Sequence, residues 1–401
     1  MRVGFIVQNP IGTSLGFSIR PRELCRNLSN LGCNVQVFSP TDETLKLSEN
    51  LVVNGVPGWQ TLLKRKLQDS GRDLIKNQLT ARFFYRKRVF ETLSNRLAAS
   101  LFAKVKSCGI EVLQGETEIA SMAAIILGKR LGIPVVADIH GLLVEEAIQY
   151  GFLKEGSKQC QQIKSFVSDV LHESDAVVVV SENLKSYLEK DFALDSSKIF
   201  CIPNAGISRG AVRPSRPSSQ NLVYAGIFEP WERVDLAIES MPYVLSAHEK
   251  ARFLIAGDGS LKAHLAKIVI NLKVSNSVTF AGIVPYDKIA DFMVQGDIAV
   301  LPSTLDVVRK VACPIKLFDY LITGLPVVTV AGLWWSDFVR QNNVGLVAED
   351  NPKSFAAAIN DLLSNPDKIN AMSEKAIKLV RDKHNWCERA KKLLEIYEKV
   401  Q

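Results

Sequence analysis

The stretch Cys313-Pro-Ile-Lys-Leu-Phe-Asp-Tyr-Leu-Ile-Thr-Gly-Leu-Pro-Val-Val328 carries the strongest fold signal in this chain. It predicts a loop, a short helix, a glycine stop and a buried strand, the order of a helix-to-strand unit in a parallel α/β sheet. Pro314 suits the first turn of the helix, because its missing N–H would have no partner there. Gly324 and Pro326 mark the end of the helix.

The start of this helix is a candidate anion site. Free N–H groups at a helix N-terminus carry about half a positive charge, and Lys316 adds a full one, so a phosphate beside Cys313, Pro314 and Ile315 would be held by both. Asp319, one turn further on, is placed to accept hydrogen bonds from hydroxyl groups. The alternative is an ordinary helix with a solvated Lys316 and a surface acid at Asp319.

The composition is that of a folded protein of about two domains. The chain has 401 residues, of which 47% are hydrophobic and 23% are charged. Its first apolar run is too short for the core of a signal peptide, and none approaches the roughly twenty residues that span a bilayer. We therefore expect a cytoplasmic protein.

Cysteine and histidine usage argues against a metal or a disulfide framework. The seven cysteines contain no Cys-x-x-Cys pair, and the five histidines show no metal-ligand spacing. We predict reduced cysteines, no metal and no bound cofactor.

The net charge of +7 is concentrated in one segment. Between Lys64 and Lys106 there are 12 Lys and Arg against 3 Asp and Glu, interleaved with apolar residues at helical spacing. This pattern suits adsorption of a helix to anionic lipid headgroups, with each cation contributing about 1 kcal/mol. The alternative is a surface helix whose apolar stripe packs on the sheet. Nucleic acid is not expected, because no binding motif is present.

The rest of the chain alternates strands and helices. Val3 to Val7 predicts a first strand, and a glycine-containing loop with Gly12 and Gly16 follows it, where open α/β sheets place ligands. A Ser-, Pro- and Arg-rich stretch near residue 210 predicts a linker. The predicted divisions are a first α/β domain at 1–205, a linker at 206–221, a second α/β domain at 222–382 and a final helix at 383–401.

Short motifs in a fixed order resemble glycosyltransferase family 4, whose members are retaining sugar-nucleotide transferases with the GT-B fold. They are Pro-Val-Val-Ala-Asp-Ile-His-Gly141, Val-Val-Val-Ser-Glu182, Ile-Pro-Asn-Ala205, Ala-Gly-Asp-Gly259, Phe-Ala-Gly-Ile-Val284 and the closing Gly-Leu-Pro-Val-Val328. The resemblance implies an α/β fold of two Rossmann-like parallel-sheet domains facing a cleft, with the C-terminal helix returning to the first domain. It also implies that the first domain (1–205) binds the acceptor, that the second domain (222–382) binds the nucleotide-sugar donor, and that reaction takes place in the cleft without an essential metal.

The resemblance assigns roles to residues of this chain. It implies that His140 lies near the transferred sugar and that Asp319 holds the ribose hydroxyls in place of a glutamate. The expected donor-binding residues are Gly257, Gly259, Gly282, Ile283, Val284, Cys313, Pro314, Ile315 and Asp319.

Three positions depart from the family pattern. Val311 stands where the first motif glutamate is expected, and Ile227 and Glu232 stand where the family has a phosphate-binding Arg and Lys. We expect Arg233 and Lys316 to supply the missing charge, since a departing diphosphate needs cations or a metal. The predicted catalytic residues are therefore His140, Lys316 and Arg233.

The predicted function is transfer of a sugar from a UDP- or GDP-linked donor to a glycan or lipid-linked acceptor, on the cytoplasmic face of a membrane. One alternative is a non-catalytic sugar-nucleotide- or glycan-binding subunit of a glycosyltransferase complex. Another is a sugar-nucleotide epimerase that uses His140 with Glu145 or Glu146.

Overall fold

The computed structural model describes residues 1–8, 11, 16–40, 44–56, 85–208, 210–215 and 219–401. These residues form two compact units: Met1–Pro203 with Trp386–Gln401, and Asn204–Asn385. The fold class is α/β, as predicted, with a parallel sheet in each unit. The predicted divisions at residues 205, 221 and 382 stay predictions.

Unit 1 is built on an eight-stranded sheet of order β3-β4-β2-β1-β5-β6-β7-β8, in which only the β3–β4 pair is antiparallel. Its strands are β1 Arg2–Ile6, β2 Asn34–Ser39, β3 Leu45–Ser48, β4 Leu51–Gly55, β5 Val112–Glu116, β6 Val135–Ile139, β7 Ala176–Val179 and β8 Ile199–Cys201. Its described helices are α1 Gly16–Asn30, α2 Lys87–Cys108, α3 Thr117–Leu131, α4 Leu143–Gln149, α5 Lys158–Glu173, α6 Glu182–Phe192 and the C-terminal α15 Trp386–Val400.

Unit 2 has a six-stranded, fully parallel sheet of order β11-β10-β9-β12-β13-β14. Its strands are β9 Asn221–Ala225, β10 Arg252–Ala256, β11 Val278–Gly282, β12 Ile298–Leu301, β13 Val327–Val330 and β14 Gly345–Ala348. Its helices are α7 Val234–Ala247, α8 Lys262–Asn271, α9 Ile289–Met293, α10 Val307–Val311, α11 Ile315–Ile322, α12 Trp334–Asn342, α13 Pro352–Leu363 and α14 Pro366–Lys383.

The C-terminal helix α15 belongs to unit 1, which confirms the predicted return of the chain. It packs on α1, and its inner face buries Trp386, Leu393 and Ile396. Tyr397 on the same face donates a hydrogen bond to Oε1 of Gln114 on β5. The helix is therefore held by both apolar burial and a buried polar contact.

The basic segment is only partly covered, since residues 57–84 lie outside the described residues. Its last helix, α2, packs on α3 and buries one apolar face, made of Phe90, Leu93, Leu97, Leu101 and Val105. For this helix the apolar stripe is therefore explained by packing. Among the described residues, no helix combines the length and apolar character needed to cross a bilayer.

Part of the predicted linker is buried in unit 2. The Arg213 side chain is fully buried, with Nη2 3.0 Å from Asp297 Oδ1, and Nη1 donates to Asn370 Oδ1 at 2.9 Å. Ser219 donates to the other Asp297 oxygen at 2.7 Å. Composition alone missed this attachment, because an arginine that is paired and fully buried has the same sequence signal as a solvated one.

We predict that Arg213→Met lowers the free energy of unfolding by about 3 to 5 kcal/mol, because it removes the fully buried guanidinium that pairs with Asp297. Urea unfolding followed by tryptophan fluorescence measures this. The matched control is Arg252→Met at an exposed position, for which a change of about 0.5 kcal/mol or less is expected. Equal losses in the two variants would contradict the assigned importance of the buried pair.

Candidate active site

Three loops follow the carboxyl ends of adjacent strands in unit 2 and stack on one another. The Gly226 amide after β9 donates to Ala256 O at 3.0 Å, and the Gly257 amide after β10 donates to Gly282 O at 2.7 Å. These backbone bonds fix one edge of the sheet. In open α/β sheets this is the edge that binds ligands.

Two predicted donor-binding glycines have a structural explanation at this edge. A Cβ on Gly257, whose φ is 140°, would lie 1.8 Å from Gly226 O, and a Cβ on Gly259 would lie 2.6 Å from Phe228 N. Glycine is required at both positions for the loops to approach each other. At the next loop, Ile283 is 70% exposed and Val284 is half-buried.

The segment that opened the sequence analysis forms the helix and strand predicted for it, α11 and β13. Pro314 is the residue before the helix and not part of its first turn, which corrects the predicted position by one residue. Cys313 O accepts a hydrogen bond from Asn204 Nδ2 at 2.6 Å. Ile315 and Lys316 are the first two helical residues, so their amides have no partner within the helix.

Lys316 is not a solvated lysine. Its ammonium contacts Glu232 Oε2 and donates to the Tyr224 hydroxyl at 3.2 Å, and it lies 5.0 Å from the centre of the Tyr224 ring. Arg309 Nη2 lies 3.8 Å from the other Glu232 oxygen. We call Lys316, Arg309, Glu232 and Tyr224 the cation cluster.

Charge balance in the cation cluster leaves one positive charge in excess. Burial alone would raise the pKa of Glu232, which is 3% exposed, but the Lys316 ammonium and the Arg309 guanidinium hold that pKa below its ordinary value. Glu232 is therefore an anion at neutral pH. Burial lowers the pKa of Lys316, and the contact with Glu232 opposes that change.

Glycine at position 226 makes room for the ammonium. A Cβ there would lie 2.8 Å from Lys316 Nζ and 2.7 Å from the Tyr224 hydroxyl oxygen. The loop after β9 and the first turn of α11 therefore meet at Lys316.

Sequence reasoning missed Arg309. It lies on α10, whose N-cap Asp306 accepts a hydrogen bond from the Arg309 amide at 2.9 Å. Its Nε donates to Ser303 Oγ at 3.0 Å, and its guanidinium lies 5.7 Å from the centre of the Trp335 ring. The available signal was its position a few residues after the end of strand β12, at the same sheet edge.

The structure does not bring Arg233 into the cation cluster. This residue has a left-handed backbone with φ of 47°, and its guanidinium is 3.2 Å from Asp235 and 3.0 Å from Asp350. Two carboxylates already balance its charge. Arg309 occupies the place beside Lys316 that we expected Arg233 to take.

Asp319 lies one turn beyond Lys316 and is 8% exposed. Tyr286, from the segment after β11, donates a hydrogen bond to its Oδ2 at 3.1 Å. A carboxylate that accepts one hydrogen bond still has lone pairs, so Asp319 can accept further hydrogen bonds from hydroxyl groups. Val311, where the family has its first glutamate, is buried.

In unit 1 the carboxyl ends of β5 and β6 hold a second charged group. His140 Nε2 lies 3.0 Å from Glu116 Oε2 and 3.1 Å from Asp138 Oδ1. Both contacts are close in distance but poorly aligned for hydrogen bonds. Arg20 on α1 contacts both Asp138 oxygens at 3.0 Å. We call Arg20, Asp138, His140 and Glu116 the histidine network.

The histidine network favours a protonated imidazole. Burial alone would lower the pKa of His140, but Asp138 and Glu116 raise it to about 9. The ligand atoms of Glu116, Asp138 and His140 lie within 4.8 Å of one another, as a metal would require. A metal would have to displace the His140 proton and compete with Arg20 for Asp138, so the residues present fit a metal poorly.

The remaining predicted residues of unit 1 are less informative. Gly12 lies outside the described residues, and Gly16 is the first residue of α1. Glu145, which the epimerase alternative would use, accepts a hydrogen bond from the Tyr187 hydroxyl.

Comparison with known families agrees with this geometry. The profile described as Glycosyltransferase Family 4 matches residues 16–205, and the profile described as Glycosyl transferases group 1 matches residues 212–379. The chain therefore belongs to the family 4, group 1 glycosyltransferases.

Individual relatives are distant. The phosphatidylinositol N-acetylglucosaminyltransferase gpi3 subunit of Schizosaccharomyces pombe is 24% identical over 302 residues, which are 73% of this chain and 61% of that protein. The chain thus spans about three fifths of that relative. D-inositol 3-phosphate glycosyltransferase of Segniliparus rotundus is 24% identical over 274 residues, 63% of this chain and 58% of that one.

Solved structures support the GT-B fold. Sucrose-phosphate synthase from Thermosynechococcus elongatus matches with a TM-score of 0.75 at 16% identity, covering 100% of this chain and 99% of that one. WaaG, a glycosyltransferase involved in lipopolysaccharide biosynthesis, matches with a TM-score of 0.65 at 14% identity, covering 98% and 99%. At these identities the likeness concerns the fold alone.

We predict that Glu232→Gln destabilises the protein by about 3 kcal/mol at pH 7, because two cations lose their buried counter-charge. Since the pKa of Glu232 is lowered, its stabilisation is complete above the ordinary glutamate range and is lost as pH falls through the folded-state pKa. Denaturant unfolding at pH 7 and at acid pH should therefore show the two proteins converging in acid. Exposed Glu249→Gln is the control, and a constant difference at all pH values would contradict the assignment.

Proposed function

We propose that this chain is a retaining glycosyltransferase that moves a sugar from a UDP- or GDP-linked donor to a glycan or lipid-linked acceptor. The observation that carries the proposal is the excess positive charge of Lys316 and Arg309 at the start of α11. It lies in the unit that matches the group 1 profile.

The cation cluster suits the leaving diphosphate. When the bond between the anomeric carbon and the phosphate oxygen breaks, its electron pair stays on the diphosphate, and negative charge grows there. Lys316, Arg309 and the first amides of α11 stabilise that charge. Glu232 holds both cations in place, and its contact with Lys316 has to loosen when phosphate binds.

The acceptor completes the exchange on the same face of the sugar. Its hydroxyl oxygen bonds to the anomeric carbon while its proton passes to the departing phosphate, so the anomeric configuration is retained. No metal takes part in this scheme, because the two cations supply the charge.

Asp319 and the loop after β11 suit the nucleoside. Asp319 is one helical turn from Lys316, so a ribose attached to the bound diphosphate falls within its reach. Gly282, Ile283 and Val284 offer backbone groups to the base. Ile283 also offers an exposed apolar side chain on which a base can pack.

The basic segment supports a membrane-associated acceptor. On α2 the residues Arg88, Arg96 and Lys106 are exposed, while the apolar face is used for packing. Cations that face solvent remain available to anionic headgroups. The Schizosaccharomyces pombe relative is named a phosphatidylinositol N-acetylglucosaminyltransferase subunit, and this name supports a lipid-linked acceptor. The exposed cations support peripheral association with a membrane, which we place on its cytoplasmic face.

A second candidate is a sugar-nucleotide- or glycan-binding subunit without turnover, within a glycosyltransferase complex. It is favoured by the buried Val311 in place of an acid and by Ile227, which is 50% exposed where the family has a cation. The S. pombe relative is itself named as a subunit. Binding of a donor without product formation would favour this candidate.

Mass spectrometry of the purified chain with libraries of nucleotide-sugars and acceptors tests the proposal. The expected result is a glycosylated acceptor together with a free nucleoside diphosphate, formed in the presence of EDTA. Interconversion of the donor sugar without acceptor would indicate an epimerase. Neither product with any donor that binds would overturn the transferase proposal.

We predict that Lys316→Ala lowers turnover about a hundredfold or more, because it removes a charge that acts on the departing phosphate. Steady-state kinetics with the identified donor measures this effect. Lys288→Ala, at an exposed position, is the control and should keep normal turnover. Turnover retained within threefold in Lys316→Ala would sink the assignment.

We predict that Asp319→Asn weakens binding of a nucleoside diphosphate about tenfold and leaves inorganic pyrophosphate binding unchanged. The reason is that the variant loses a charged acceptor for ribose hydroxyls but keeps both cations. Calorimetry with the two ligands distinguishes the contributions, and Lys316→Ala should weaken both. Equal loss for both ligands in Asp319→Asn would contradict a ribose role.

A further inference from the structure

Glu116 is a buried acid for which the sequence analysis assigned no role. It ends strand β5 and is 4% exposed. One of its oxygens accepts a hydrogen bond from Gln114 Nε2 at 3.1 Å. The other oxygen faces His140 Nε2 at 3.0 Å, and among the described residues it has no aligned hydrogen-bond partner.

The orientation of His140 separates its two nitrogens. Nε2 is fully buried between the carboxylates of Glu116 and Asp138, while a quarter of the side chain is exposed. Nδ1 is therefore the nitrogen at the exposed edge of the ring. A proton on Nε2 is required, because a bare nitrogen lone pair facing two carboxylates would be repelled.

The two carboxylates beside His140 differ in the positive charge that they contact. Arg20 contacts both oxygens of Asp138, and Gln114 donates to Asp138 Oδ2 at 3.1 Å. Asp138 thus already has a full counter-charge. Burial and the Asp138 carboxylate raise the pKa of Glu116, while the charges of His140 and Arg20 oppose that rise. Glu116 is the acid left to balance a charged His140.

Other groups facing the network do not replace Glu116. Glu118, on α3, is buried, and burial raises its pKa while the charge of His140 opposes that rise. It makes no ion pair with His140. Tyr397, on α15, donates to Gln114 and stays neutral, because burial raises its pKa. Cys25, on α1, stays a thiol for the same reason.

We propose that Glu116 is a positioning residue that keeps His140 as an imidazolium and aims its Nδ1–H outward as a charged hydrogen-bond donor. The ligand group it serves is an oxygen acceptor, either a sugar hydroxyl or a phosphate oxygen of the substrate. This inference rests on the proposed transferase function. It assigns His140 a donor role and excludes a general-base role.

The consequence is a characteristic pH dependence. A group whose folded-state pKa is raised keeps its proton through the neutral range and loses it as pH rises through that value. With the pKa of His140 near 9, activity should be level from pH 6 to 8 and fall above that range. A histidine acting as a base would give the opposite trend, with activity rising through pH 6 to 7.

The test is Glu116→Gln, read by histidine NMR titration of the full chain and by the pH profile of kcat/KM. Loss of one counter-charge should lower the pKa of His140 by about 1 to 3 pH units and move the alkaline fall in activity by the same amount. The control is Glu118→Gln, which changes a nearby buried acid that makes no ion pair with His140. Its effect should be clearly smaller.

Three outcomes of the titrations would overturn the inference. They are a His140 that titrates below pH 7 in the unchanged protein, an unchanged titration in Glu116→Gln, or an equal shift in Glu118→Gln. Saturable Zn²⁺ binding that perturbs the His140 signals at micromolar metal would also overturn it, by showing a metal site. The titration needs no substrate, so a chain without transferase activity but with the predicted His140 titration would refute the proposed function and leave the charge assignment intact.

Discussion

The contact of Glu232 with Lys316 and Arg309 is the interaction on which the candidate donor site depends. Two cations so close together repel each other, and a buried carboxylate between them removes that cost. Because only one negative charge is supplied for two positive ones, the cluster remains attractive to an anion. Glycine at 226 is a further requirement, since any side chain there would collide with the ammonium.

Both units use the same physical device at the carboxyl ends of their strands. In unit 1 the ends of β5 and β6 place Glu116 and His140 side by side. In unit 2 the segment after β9 supplies Glu232, and helix α10 after β12 supplies Arg309, and both contact Lys316 or its partner. Charged groups are stable at these strand ends because each has an oppositely charged partner in surroundings of low dielectric constant. The positive charge that is left in excess attracts an anionic substrate.

Much of the fold followed from the sequence, because apolar runs of four or five residues, such as the one ending at Val328, identify strands buried on both faces. The spacing of Lys316 and Asp319 on one helix was also readable, since helical geometry fixes it. The sequence did not indicate which residues that are distant in the chain contact each other. Glu232 lies 84 residues from Lys316, and neither spacing nor composition reports such a contact. Arg233 was predicted because it is adjacent to Glu232 in the chain, and the position of Arg309 after strand β12 was overlooked.

A crystal structure of the chain with a bound nucleoside diphosphate tests the central claim most directly. The account predicts the terminal phosphate within hydrogen-bond distance of Lys316 Nζ and the Arg309 guanidinium, with the ribose on Asp319. A nucleotide bound elsewhere, or one whose phosphates touch neither cation while Lys316 stays on Glu232, would contradict it.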